Sequence, residues 1–166
     1  MTTIFYNYDK STTKLATIIS DKTPAELIEM DVIPEGAAYL SAPDITDSMT
    51  DEDERIKYNE ILYCSFDDYT KPTKVVVDYQ AIMASLLEDI KPLRDYLVTT
   101  LDYLKTKAAA NSKTSVVSEI EADITALKAC LTVDLSKYTK AADLQDYVPD
   151  IMAIDYNLKY EDKINA

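Results

Sequence analysis

The sequence contains no histidine and only one glycine, Gly36. Histidine supplies the base of Ser-His-Asp and Cys-His catalysis and the ligands of many zinc sites, so these designs are excluded. A P-loop, a GxGxxG dinucleotide turn and a GxSxG nucleophile elbow each need at least two glycines and are excluded as well. Carboxylate pairs could still cleave glycosides, but no acid stands in an apolar stretch that would perturb its pKa. We therefore expect a protein that is not an enzyme and has no cofactor.

Tryptophan is also missing, and cysteine occurs only at Cys64 and Cys130. Two cysteines so far apart in sequence form neither a disulfide framework nor a metal knuckle, so we expect reduced, largely buried thiols. No apolar run approaches the ~18 residues that span a bilayer, and the first residues do not resemble a secretion signal. The sequence predicts a soluble protein made in a cytoplasm.

Basic residues are scarce: 17 stand against 30 acids, which gives a formal net charge of −13. Such a chain would repel phosphate backbones and anionic lipids, so we expect neither nucleic acid nor a membrane as partner. The charge leaves open an acidic decoy that occupies a host nucleic-acid-binding protein in place of DNA.

The densest acidic run lies at residues 44–54 and ends in Asp51, Glu52, Asp53 and Glu54. It lacks the central glycine of a calcium loop. We interpret it as a solvated loop or as the negatively charged start of a helix, with a metal site as the alternative.

The N-terminal part is rich in strand-forming residues. Segments 3–8 and 14–19 carry β-branched and aromatic residues on either side of a polar stretch, which predicts a β-hairpin whose register the sequence does not fix. Residues 61–66 and 73–77 predict two further strands that complete one small antiparallel sheet.

Two shorter signals lie between these strands. Thr23 and Glu26 have the spacing of a capping box and Pro24 suits the first helical position, which predicts one to two turns of helix. Pro34 at the second position and Gly36 at the fourth predict a type I turn.

Beyond Asp78, a candidate N-cap, the hydrophobic period changes from two to nearly four. Apolar residues recur at steps of three and four over residues 82–108 and again over residues 116–131. These two stripes predict an antiparallel helical hairpin in which they form a shared core or an oligomer seam. Pro92 removes one helical hydrogen bond inside the first stripe, so we expect a kink or short break there.

The sequence thus predicts an α+β fold of three parts. A small antiparallel β-rich N-terminal part with a short helix covers residues 1–77. A long antiparallel helical hairpin covers residues 78–135, and a short helix with an extended C-terminal tail covers residues 136–166.

The tail carries apolar and tyrosine residues without a firm hydrophobic period. Tyrosine combines rigid contact area with a polar tip, which suits protein interfaces. We therefore expect the tail to dock on the body or on a neighbouring chain. The candidate partner-binding residues are Ile151, Ile154, Tyr156 and Tyr160.

Three phrases of the sequence have counterparts in a known group. DVIPEGAAY at residues 31–39 matches a phrase of the type DVPxGxxY with one extra residue. PL at residues 92–93 and LDY at residues 101–103 match a proline followed by LxxLD, and IEADITALKA at residues 120–129 matches IEALKxAL. The combination, over about residues 24–135, resembles small tail-fibre-associated or tail-fibre-assembly proteins of tailed bacteriophages.

The resemblance implies a virion accessory protein that lies in the tail region and is made in the host cytoplasm. Its partners would be phage tail or tail-fibre proteins, bound as an oligomer or as part of a larger assembly. It implies no catalytic residue. Two alternatives remain open: a tail-fibre assembly chaperone absent from the mature virion, and the acidic decoy.

Overall fold

The computed structural model describes residues 1–43, 51–145 and 147–166. The helices and strands are β1 (Thr2–Asn7), β2 (Leu15–Ser20), α1 (Pro24–Glu29), β3 (Tyr39–Pro43), α2 (Glu52–Asn59), β4 (Cys64–Phe66), β5 (Val75–Val77), α3 (Tyr79–Ala110), α4 (Thr114–Ala129) and α5 (Tyr156–Asn165). Short 3-10 turns lie at Ile61–Tyr63, Leu135–Lys137, Ala141–Leu144 and Asp150–Ala153. The predicted α+β fold, with an N-terminal antiparallel sheet and a long helical hairpin, is confirmed.

The chain divides into two compact units. Unit 1 comprises Met1–Ile82 and Tyr138–Asp143, and unit 2 comprises Met83–Lys137 and Leu144–Ala166. Where the sequence predicts a short helix before the C-terminal tail, the structure has a single 3-10 turn at Ala141–Leu144. None of the helices in the described ranges is both long and apolar enough to cross a membrane.

Unit 1 contains a three-stranded sheet with the order β2-β1-β3, in which both pairings are antiparallel. The predicted hairpin is β1 and β2, with Thr2 opposite Ser20 and Asn7 opposite Leu15. Strands β4 and β5 pair with each other in a second sheet, so the prediction of one sheet is wrong. Strand β3 pairs with the side of β1 that β2 leaves free.

The hairpin register is held by a side chain and not by a tight turn. Asn7 is buried, and its Nδ2 donates hydrogen bonds to the carbonyl oxygens of Thr12 and Lys14, both at 2.9 Å. Its side-chain amide thereby satisfies two carbonyl oxygens in the loop between β1 and β2.

Helix α1 begins and ends with specific caps. Thr23 and Glu26 form the predicted capping box. At the other end Asp31 has a φ of 58°, and the N–H groups of Asp31 and Val32 donate to Ile28 and Leu27 at 3.0 and 2.9 Å. These two bonds form a Schellman motif.

The following turn starts one residue later than the sequence predicts. The Ala37 N–H donates to the Pro34 carbonyl at 3.0 Å, so Gly36 stands third in the turn, with a φ of 69°, and not fourth. The third position is left-handed here, and glycine adopts that conformation without steric cost.

The three-stranded sheet is covered on both faces. Ile4 packs with Leu27, Ile33 and Ala37 on one face. Neighbouring strand residues point to opposite faces, and the Phe5 ring contacts the Tyr58 ring of α2 with centroids 5.0 Å apart. The sheet of unit 1 therefore lies between α1 and α2.

Helix α3 has 32 residues and continues through Pro92, so of the predicted kink or short break the break does not occur. Proline inside a helix costs about 3 kcal/mol, because it removes one hydrogen bond and crowds the preceding turn. Leu101, Leu104 and Ala108 are fully buried in the core of unit 2, and this packing offsets the cost. The Pro92 ring lies on the exposed side of the helix.

A second Schellman motif ends α3. Ser112 has a φ of 57°, and the N–H groups of Ser112 and Lys113 donate to Ala109 and Ala108 at 3.0 and 2.9 Å. The chain then reverses into α4, which gives the predicted hairpin.

The C-terminal tail is not extended as predicted, because residues 156–165 form α5. The Asp155 carboxylate caps this helix by accepting a hydrogen bond from the Leu158 N–H at 3.0 Å. The side chains of Tyr156, Tyr160 and Ile164, spaced four apart, are buried in a core shared with α3 and α4. Unit 2 is thus a bundle of three helices.

Candidate interaction surfaces

The tyrosines predicted to contact a partner lie inside unit 2. Tyr156 is 2% exposed and Tyr160 is 0% exposed. Ile151 and Ile154 are half-buried against the same core. The prediction that Tyr156 and Tyr160 present a surface is wrong, because their helical spacing turns both rings towards the core shared with α3 and α4.

Each buried tyrosine has a partner for its hydroxyl group. Tyr160 Oη donates to Asp123 Oδ2 at 2.7 Å, and Tyr156 Oη donates to the Ile151 carbonyl at 2.8 Å. Burial, followed by the Asp123 charge, raises the pKa of Tyr156 to about 12. Burial and the hydrogen bond to Asp123 likewise raise the pKa of Tyr160. Both hydroxyls therefore stay protonated and keep donating.

Ion pairs add to the attachment of α5. Lys159 Nζ lies 2.6 Å from Asp123 Oδ2, and Lys163 Nζ lies 2.6 Å from Glu119 Oε2. These bonds join the middle of α5 to the middle of α4, so the C-terminal helix is a structural part of unit 2.

A cavity of about 690 Å³ opens beside the β1–β2 loop in unit 1. Two of its polar lining groups have partners in the protein: Tyr69 Oη donates to the Thr13 carbonyl at 2.5 Å, and Lys10 Nζ donates to the Glu35 carbonyl. A Cβ at Gly36 would lie 3.0 Å from Lys10 Nζ, so glycine also makes room for this lysine. These hydrogen bonds beside the cavity join the loops that carry Lys10, Thr13, Glu35 and Tyr69.

The end of the acidic run is the start of α2, which favours the acidic helix start over the solvated loop. Asp51 Oδ1 accepts a hydrogen bond from the Glu54 N–H at 3.3 Å, and Glu52 forms an ion pair with Arg55. Residues 44–50 of the run lie outside the described residues. In the part of the chain that is described, no group of three or more cysteine or acidic side chains is placed to hold a metal ion.

Several other exposed acids hold turns through backbone N–H groups. Asp67 Oδ1 accepts from Thr73 and Lys74 at 3.0 and 3.1 Å, and the Thr73 hydroxyl donates to its other oxygen. These bonds, led by the one from the Thr73 hydroxyl, hold the pKa of Asp67 well below its usual range. Hydrogen bonds from Ser11 and Thr70 lower the pKa values of Asp9 and Asp68 in the same way.

One side of α3 is exposed although it carries large apolar side chains. Leu93 is 45% exposed, Tyr96 is 66% exposed and Tyr103 is 67% exposed. The stripe expected to be buried over residues 82–108 is therefore interrupted at Leu93. We define the α3 face as Asp89, Leu93, Tyr96, Thr100, Tyr103 and Lys107.

The α3 face was not found from sequence because two rows of apolar residues overlap on this helix. Leu93 belongs both to the row facing the core and to the row of exposed tyrosines. Periodicity identifies both rows, but only packing against α4 and α5 decides which is covered. The signal that could have found it is the seven-residue interval between Tyr96 and Tyr103, which places both on one side of a helix.

Comparison of the chain with protein-family models, with curated proteins and with solved structures gives no match.

Proposed function

We propose that this protein acts by binding other protein chains and not by catalysis. The observation that carries the proposal is the α3 face, where two tyrosines and a leucine lie exposed in one row. Aromatic side chains are enriched in protein interfaces, and an apolar row of this kind on a surface helix marks an interaction site. The absence of histidine supports a function without catalysis.

We propose further that the protein belongs to a bacteriophage virion, as an accessory component of the tail or tail fibres. The resemblance of residues 31–39, 92–103 and 120–129 to tail-fibre-associated proteins supports this assignment. Two of these segments contribute to rigid parts of the fold: the first contains the turn at Gly36, and the third forms most of α4. A stiff helical hairpin suits a docking element that connects larger components.

The virion assignment is tested by mass spectrometry of purified particles and of infected cells. We expect the protein in both, and we expect the purified chain to bind isolated tail or fibre proteins. Its presence in cells together with its absence from particles would favour the assembly chaperone. Failure to bind any tail or fibre protein would contradict both roles.

The acidic decoy has less structural support. A decoy needs free carboxylates spaced like phosphates, whereas Asp67 and Asp51 accept hydrogen bonds from nearby backbone groups. A competition assay with DNA for a host protein tests this alternative. Competition that disappears when Asp51, Glu52, Asp53 and Glu54 are all neutralised would favour the decoy over tail binding.

A further inference from the structure

We propose that the α3 face binds the same face of a second copy of this chain, with the two α3 helices antiparallel. The proposal rests on the protein-binding function and specifies one partner for it. Three properties of the face carry it: the spacing of its residues, their symmetry about Val98, and the charges at its two ends.

The spacing is that of a coiled-coil seam. The six residues of the α3 face follow one another at steps of 4, 3, 4, 3 and 4. The steps alternate between four and three, which is the heptad pattern that keeps one narrow side of a helix facing a partner helix. The buried row on the same helix has longer steps, so the two rows are suited to different neighbours.

The face is also symmetric about Val98. Asp89 and Lys107 lie nine residues on either side of it, Leu93 and Tyr103 lie five, and Tyr96 and Thr100 lie two. In an antiparallel pair related by a two-fold axis at Val98, each residue meets its counterpart from the other copy. Leu93 then packs on Tyr103, and Tyr96 packs over Thr100.

The end charges select the antiparallel arrangement. A parallel pair would place Asp89 against Asp89 and Lys107 against Lys107, which is repulsive. The antiparallel pair places each Asp89 beside a Lys107 of the other copy. Neither Asp89 nor Lys107 forms an ion pair with any described residue. Six other charged residues of this helix do pair with each other: Glu88 with Lys91, Arg94 with Asp95, and Asp102 with Lys105.

The size of the face indicates a reversible dimer. A helix rises 1.5 Å per residue, so the face is about 27 Å long and one helix wide. This is at the low end for specific protein interfaces. We therefore expect a dimer that forms with a dissociation constant on the order of 10 µM.

The experiment is sedimentation equilibrium of the full chain with reversed charges. In Asp89→Lys the antiparallel contact brings lysines together, and in Lys107→Asp it brings aspartates together. We expect each variant alone to dimerise about tenfold more weakly. Mixing the two variants should restore association as a heterodimer, and the double variant should recover wild-type affinity.

Two sets of controls separate this contact from general effects. Glu121→Lys and Lys128→Asp make the same kinds of charge change at exposed positions of α4, and both should dimerise like the wild type. Tyr96→Glu, at an exposed position, should remain helical by circular dichroism but stay monomeric. It tests the centre of the face separately from its charged ends.

The proposal is overturned if the wild-type chain remains monomeric at hundreds of micromolar. It is equally overturned if a dimer forms but the charge variants and Tyr96→Glu leave it unchanged. A monomer that still binds tail proteins would leave the proposed function standing with another occupant for the α3 face. A charge-dependent dimer that binds no tail or fibre protein would instead contradict the virion assignment alone.

Discussion

At the scale of single residues, most polar groups with structural roles act through local bonds. Asn7 holds the β1–β2 loop, Asp31 and Ser112 adopt left-handed conformations in helix caps, and Asp67 holds the loop before β5. The capping box at Thr23 was predictable because both of its partners lie within four residues. The bond between Tyr160 and Asp123 was not, because the two residues lie far apart in sequence and meet only when α5 packs on α4.

The Thr3 side chain, in contrast to these residues, makes no such bond in the part of the chain that the structure describes. It is fully buried in β1, and its Oγ1 has no hydrogen-bond partner among the described residues. A buried hydroxyl without a partner costs about 1–3 kcal/mol, and valine has nearly the same shape. We expect Thr3→Val to raise the free energy of unfolding by about 1 kcal/mol, measured by urea denaturation. Thr2→Val, at a partly exposed site of the same strand, is the matched control, and an equal gain there would refute the explanation.

The Asp67 carboxylate predicts a specific pH dependence. Its pKa is lowered on folding from the usual 3.8, so its stabilising contribution is complete above that pH and is lost as the pH falls towards the folded pKa. Asp67→Asn should therefore be less stable than the wild type at pH 7, and the difference should shrink below pH 3.8. Urea denaturation at both pH values checks this, with Glu121→Gln as control. A difference that stays constant with pH would contradict it.

At the scale of elements, the long helices were predictable from their periodicity and α5 was not. Helices α3 and α4 repeat an apolar residue every three or four positions over many turns. Helix α5 has only 10 residues, and its buried residues are four apart, whereas Ile151 and Ile154 just before it are three apart. Two of its inward-facing side chains are tyrosines. Their hydroxyl groups favour a prediction of surface exposure, because their buried hydrogen-bond partners cannot be read from the sequence.

Helix α3 should become more stable without its proline. Pro92→Ala restores the hydrogen bond to the Glu88 carbonyl and removes the ring from the preceding turn, a gain of about 3 kcal/mol. About 1 kcal/mol of this is lost because alanine leaves the unfolded chain more freedom. We expect a net stabilisation of about 2 kcal/mol by thermal or urea unfolding. Pro72→Ala, in a loop, should be destabilised by less than about 1 kcal/mol. A loss of stability in Pro92→Ala would show that the helix needs the proline.

At the scale of the whole molecule, the composition excludes several catalytic and nucleotide-binding designs, because the chain has no histidine and one glycine. It does not identify a partner. The number of sheets and the pairing of β3 with β1 depend on contacts that no local pattern records. The exposed α3 face likewise depends on where α4 and α5 pack. Both results are consequences of tertiary structure, and both bear on function because they determine which side chains remain available to a partner.

The proposed pairing of two α3 faces is the feature of the whole molecule from which its mode of protein binding follows most directly. Zero-length carbodiimide cross-linking of an equal mixture of ordinary and nitrogen-15-labelled protein tests it directly, because a link between two copies gives peptides of mixed isotope content. We predict mixed-isotope links between Lys107 and Asp89, and their loss in Tyr96→Glu. The treatment is carried out at a concentration at which the dimer forms. Links found only within single chains, or between copies at other sites, would contradict the proposed dimer.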